Sequence, residues 1–252
     1  MEPGIVIALA TAAFAGAFVQ AATGFGFALI AAPAFLWLMS STTALQVLVA
    51  IHVVQSVMLA PRLFAFAPRR LLIWLVLGSL IGLPLGLWLF LSLDLRALKL
   101  ALGVTMLAFA ALLVAREHGL LDRLARPKDV EVVPRWIVAV AGAAAGFLTA
   151  VLIMPGPPVI LLAAWLGLPK LESRALSLTF FTVCYVIVTA MHASSGTMTA
   201  ATWYLVFVLS PAVAVGTLAG NRLAAGLSER RFRYAILAIT GLSGVAALLS
   251  VL

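Results

Sequence analysis

The polar residues of this chain that could bind something lie inside a run that otherwise suits hydrocarbon. In FVQAATGFGFALIAAP, residues 18–33, an apolar segment carries Gln20, Thr23, Gly24, Phe25 and Gly26. A helix broken at ATGFG exposes the backbone N–H groups that open the next half-helix, and in hydrocarbon those groups must find partners. An anion is a suitable partner, because a helix N-terminus concentrates about half a positive charge. Thr23 is placed to cap the next half-helix, while Gly24 and Gly26 let a ligand approach the backbone. A second interruption lies in GFLTAVLIMPGPPVILLAAWLG, residues 146–167, where Thr149 is followed by Met154, Pro155, Gly156, Pro157 and Pro158. Proline is well suited to the first turn of a helix. Either motif alone also fits tight helix packing or a kink. Paired interruptions at corresponding positions point instead to a transporter site between two half-helix starts near the bilayer midplane.

A second set of polar groups agrees with this. His52, Gln55 and Ser56 share one face of the segment 43–61, and Thr182, Tyr185, Thr189 and His192 share a face of 172–193. Polar groups at this depth either bridge helices or line a cavity. Gln20, His52, Gln55, Thr149, Thr182 and Tyr185 therefore join Thr23, Gly24, Phe25, Gly26, Pro155 and Gly156 as candidate substrate-binding residues. Catalysis is not expected. All eight acidic residues, Glu2, Asp94, Glu117, Asp122, Asp129, Glu131, Glu172 and Glu229, fall in loops or at segment ends. His52, Cys184 and His192 thus lack an acidic orienting partner or a metal-binding spacing, so no catalytic residue, metal or cofactor is assigned. A cation carrier would place carboxylates in the bilayer, and their absence argues against one.

The elements that must position these residues are membrane helices. Hydrophobic residues make up 65% of the 252-residue chain and charged residues 10%, and the mean hydropathy is +1.21, outside the soluble range. The opening residues carry no basic cluster, so a cleaved signal peptide is not expected. The net charge of +8 orients the protein in the membrane and does not imply nucleic acid. Six long apolar segments lie near 43–61, 69–93, 96–115, 172–193, 201–222 and 232–252, and four shorter or interrupted ones near 5–22, 27–39, 135–151 and 156–168. The 13-residue members reach only about 20 Å of the roughly 30 Å core, so they read as half-helices or arms of re-entrant hairpins.

The order of segments repeats. Each half opens on a short or broken pair and continues with three transmembrane helices, giving a first repeat at 1–115, a linker at 116–134 and a second repeat at 135–252. A shift of 130 positions pairs Gly16 with Gly146, Gly26 with Gly156, His52 with Thr182 and Gln55 with Tyr185; a shift of 134 pairs Gly82 with Gly216 and Gly86 with Gly220. The basic linker is expected in the cytoplasm, which places 14 of the 16 Lys and Arg residues inside, leaves only Arg96 and Lys99 outside and puts both termini outside. Three arginines at 61–70 answer to an uncharged ASSGTMTA at 193–200, the asymmetry of an inverted repeat. All six tryptophans fall near segment ends, as interfacial anchors should. The expected fold is an all-α membrane protein of two inverted repeats in a bacterial inner membrane.

With GAFVQAATGFGFALIAAP and GFLTAVLIMPGPPV opening its halves and a basic linker between them, the chain resembles the sulfite exporter TauE/SafE family of membrane permeases over essentially its whole length. Its second interruption departs from the usual Gly-rich form at Met154, Pro155, Pro157 and Pro158. The resemblance implies transport of a small organic or sulfur-containing anion such as sulfite, sulfoacetate or a related sulfonate. The alternative is an anion channel or structural membrane subunit, since broken helices also build selectivity filters. A small anion and the lipid bilayer are the expected partners. With no carboxylate in the bilayer, transport is expected to follow the anion's own gradient, His52 being the one candidate proton carrier at depth.

Overall fold

The computed structural model describes residues 2–117 and 133–223, together with 241, 242, 244, 245, 247 and 248. Among these the secondary structure is helical throughout, with no strand. The helices are α1 (Pro3–Thr23), α2 (Phe27–Met39), α3 (Thr43–Leu63), α4 (Arg69–Ser92), α5 (Leu95–Glu117), α6 (Arg135–Leu152), α7 (Gly156–Trp165), α8 (Lys170–Ser194) and α9 (Ala200–Leu223). A short 3₁₀ turn, Phe64–Phe66, follows α3. An all-helical chain is what hydrocarbon demands, since each helix satisfies its own backbone.

Seven of these helices are long and apolar enough to span: α1, α3, α4, α5, α6, α8 and α9. This revises one part of the segment reading. The segments 5–22 and 135–151 become α1 and α6, with 21 and 18 residues, both of spanning length. The short members are α2, with 13 residues, and α7, with 10, or roughly 20 and 15 Å. The sixth long segment, 232–252, falls largely outside the described residues, as does most of the linker. Its described part is helical, and Gly244 packs against Leu107 and Met106 of α5.

Two long seams join the first half to the second. In one, α4 lies along α6, and a Cβ on Gly82 would overlap the carbonyl of Ala143, one on Gly86 that of Phe147 and one on Gly142 that of Leu75. In the other, α1 lies along α9, with Gly216 against the Phe14 carbonyl and Gly220 against that of Phe18. Residue numbers rise together along both seams, so each pair of helices is parallel. With no hydrophobic driving force between helices in lipid, backbones this close gain van der Waals contact that a side chain would forbid. The glycines paired by the shift of 134 thus perform the same packing in the two seams. Between the seams α3 packs against α8. The outer faces are apolar: Phe207 is 79% exposed, Trp88 70% and Ile81 66%. Such a surface suits acyl chains and not water.

Candidate functional site

Both breaks are built alike. α1 ends at Gly24, which is left-handed with φ of 93°, and the Gly24 N–H donates to the Gln20 carbonyl at 2.7 Å. α6 ends at Ile153, left-handed with φ of 59°; its N–H donates to the Thr149 carbonyl at 2.9 Å, and the Met154 N–H to that of Leu148 at 3.2 Å. These bonds close the carbonyls that a helix end leaves open. Glycine adopts this backbone freely, whereas in a β-branched residue it costs on the order of 1–3 kcal/mol and persists only where the surroundings enforce it. Ile153 is fully buried. The chain restarts at Gly26, the N-cap of α2, and at Pro155, the N-cap of α7.

The two restarts meet at one small cavity of about 20 Å³, slightly more than one water requires. Of the twelve candidates, Gln20, Phe25, Gly26, Pro155, Gly156 and Tyr185 line it. The wall is completed by Ala28, Leu29, Phe109, Ile153, Met154, Pro157 and Phe181. Phe109, from α5, meets Phe25 edge-on with ring centroids 6.1 Å apart, and Phe181 lies one turn before Tyr185 with centroids 6.2 Å apart. No polar pattern marks either phenylalanine, so sequence reasoning had no signal for them. The Met154 and Pro157 interruptions were visible, but which of their side chains face the cavity depends on the turn at Ile153.

Gln20 is the polar centre of this wall. Its side chain is buried, Oε1 accepts the Phe27 N–H at 3.3 Å, and Nε2 has no partner among the described residues. Gln20, not Thr23, thus receives the first amide of α2. Thr23 Oγ1 instead closes the turn, 2.8 Å from the Val19 carbonyl and 2.6 Å from that of Phe25, and accepts the Phe25 N–H at 3.2 Å. The reason is local: Gly26 in the left-handed region takes the N-cap position, which carries no side chain.

The remaining candidates surround the cavity without lining it. His52 stands behind the wall, tilted against Phe27 at 3.9 Å and against Tyr185 at 4.4 Å between ring centroids. Its Nδ1 bonds the Leu48 carbonyl at 2.7 Å, and Nε2 is buried without a partner. Gln55 Nε2 donates to the Ala17 carbonyl at 2.8 Å, bridging α3 and α1. Thr149 and Thr182 donate to carbonyls of their own helices, Ala145 at 2.6 Å and Leu178 at 2.7 Å. Gly24 faces Arg174, where a Cβ would come within 3.0 Å of Cγ. Arg174 itself donates to the Ala21 carbonyl and, at 2.9 Å, to Asn221 Oδ1, tying the end of α1 to the start of α8 and the end of α9.

The donors that face the cavity are unequal on its two sides. On the α2 side Gly26, Ala28 and Leu29 line the cavity with Gln20, and the first turn of a helix has no intrahelical acceptor for its amides. On the α7 side the first positions are Pro155, Gly156, Pro157 and Pro158, and proline has no N–H. Gly156 alone offers an amide there.

A family model described as sulfite exporter TauE/SafE matches residues 8–247. Among curated proteins and among solved structures, none matches the chain significantly.

Proposed function

Because the chain belongs to the sulfite exporter TauE/SafE family, we propose that it is a secondary carrier whose substrate, a small sulfur-containing or organic anion such as sulfite or a sulfonate, binds in the cavity between the two helix breaks. The observation that carries this reading is Gln20: a buried amide with an unpartnered Nε2, set in the cavity wall beside the start of α2. A buried donor without a partner is costly, and an oxyanion would satisfy it together with the free amides of the first turn.

The architecture proposed around this site is the inverted pair of halves, 1–115 and 135–252, joined by a cytoplasmic linker at 116–134, in an inner membrane with both termini outside. The two parallel seams, with their matched glycines, and the left-handed ends of α1 and α6 support duplication, and the distribution of Lys and Arg supports the opposite orientation of the halves. The anion's own gradient drives the flux. In a negative-inside cell that favours export by about 2.3 kcal/mol per charge per 100 mV.

Reconstitution tests the proposal. Saturable sulfite flux with counterflow is expected in proteoliposomes, driven by an imposed potential and indifferent to an imposed pH gradient. Flux that never saturates would make the protein a channel. Flux that follows the pH gradient and loses that dependence in His52→Gln would make His52 a proton carrier.

A further inference from the structure

The donor inventory of the cavity bears on the charge of what it holds. Among the described residues, none that lines the cavity is charged. The donors that the lining residues offer an anion are Gln20 Nε2, the amides at the start of α2 and the Gly156 amide, all of them neutral. Three prolines at the start of α7 remove the amides that would have matched those of α2. The rest of the wall is aromatic or aliphatic, from Phe25, Phe109, Ile153, Met154 and Phe181. Arg174, which touches Gly24, is not among the lining residues; its Nη2 donates to Ala21 and Asn221, while its buried Nε has no partner among the described residues.

Moving an ion out of water costs several kcal/mol even for a single charge, and in a continuum that cost grows as the square of the charge. A few neutral donors in an otherwise apolar cavity offset it for one charge and fall short for two. We infer that the cavity selects singly charged anions, the hydrogensulfite or monosulfonate class, over dianions of the same shape, and that the prolines of the second break set this preference. The inference deepens the carrier reading and rests on it.

Three probes separate charge from shape: sulfate, perchlorate, which has the same tetrahedral outline with one charge fewer, and methanesulfonate, which replaces one oxygen with a methyl. Each is titrated against the purified protein by calorimetry, and sulfite flux into proteoliposomes is measured separately. The expected result is that both monoanions bind at least about tenfold more tightly than sulfate. Sulfate binding as well as perchlorate overturns the inference, including the case in which methanesulfonate alone binds better, since the methyl and not the charge would then decide. Sulfite flux alongside that result leaves the carrier reading standing. Absence of both flux and binding of any probe overturns the carrier reading and the inference with it.

Discussion

Gln20, in the cavity wall, has its amide oxygen engaged and its amide nitrogen without a partner among the described residues, so substitutions there separate support of the fold from recognition of the substrate. Gln20→Leu keeps the bulk and removes the donor, and its expected cost is about 0.5–2 kcal/mol of binding, or roughly two- to thirtyfold in apparent affinity for sulfite. Gln20→Glu keeps the acceptor for Phe27 and sets a carboxylate against the anion, so flux should fall further than in Gln20→Leu; equal or higher flux in the glutamate variant would remove Gln20 from the site. The sequence exposed Gln20 because a glutamine in hydrocarbon has few uses. It did not reveal which of Gln20 and Thr23 would meet the α2 amide, because that depends on Gly26 occupying the cap in a left-handed turn. Nor did it show that Gly24 faces Arg174, a residue 150 positions away in the chain.

The decisive elements are the two short helices and the seams that hold them. The bounds of α2 were legible to the residue, because Gly26 and Ser40 bracket an unbroken apolar run. α1 extends past the expected 5–22 by Pro3 and Gly4 at its start and Thr23 at its end, and α6 past 135–151 by the buried Leu152 alone. The seams themselves were hidden: glycines recur in the sequence, but only packing shows that α4 runs beside α6 and not beside its own counterpart α9. Gly142→Leu tests this seam. A side chain there would enter the backbone of α4 at Leu75, and the overlap exceeds the usual 1–3 kcal/mol of overpacking. The purified variant should unfold at a markedly lower temperature or fail to stay monodisperse. Gly167→Leu, at a glycine where a Cβ would meet nothing within 4 Å, carries a backbone cost only and should be milder; equal stability of Gly142→Leu and the parent protein would contradict the seam.

For the whole molecule, the inverted arrangement makes a claim about sides. If the basic residues report orientation, a cysteine at Ser195 in a Cys184→Ala background should react with an impermeant external thiol reagent, while one at Ala125 should not. The opposite pattern would reverse the assignment of inside and outside. The background is a mild change, because Cys184 is a small buried side chain. Family, helical class and broken helices could be read from the sequence. The cavity could not, because it assembles from five helices, α1, α2, α5, α7 and α8, with the α6–α7 connection.

The central claim is that an anion crosses by way of the cavity between the breaks, and Gly156 gives the most direct access to it. A Cβ there would meet only Phe25, at 3.8 Å, and a larger side chain would take up the cavity that Gly156 lines. Sulfite flux should be measured in proteoliposomes containing the parent protein or Gly156→Leu, each first shown to be monodisperse with an unchanged unfolding midpoint. Saturable flux with counterflow in the parent, and its loss in Gly156→Leu, is the predicted result. Undiminished flux through a folded Gly156→Leu protein would contradict the account and move the path elsewhere.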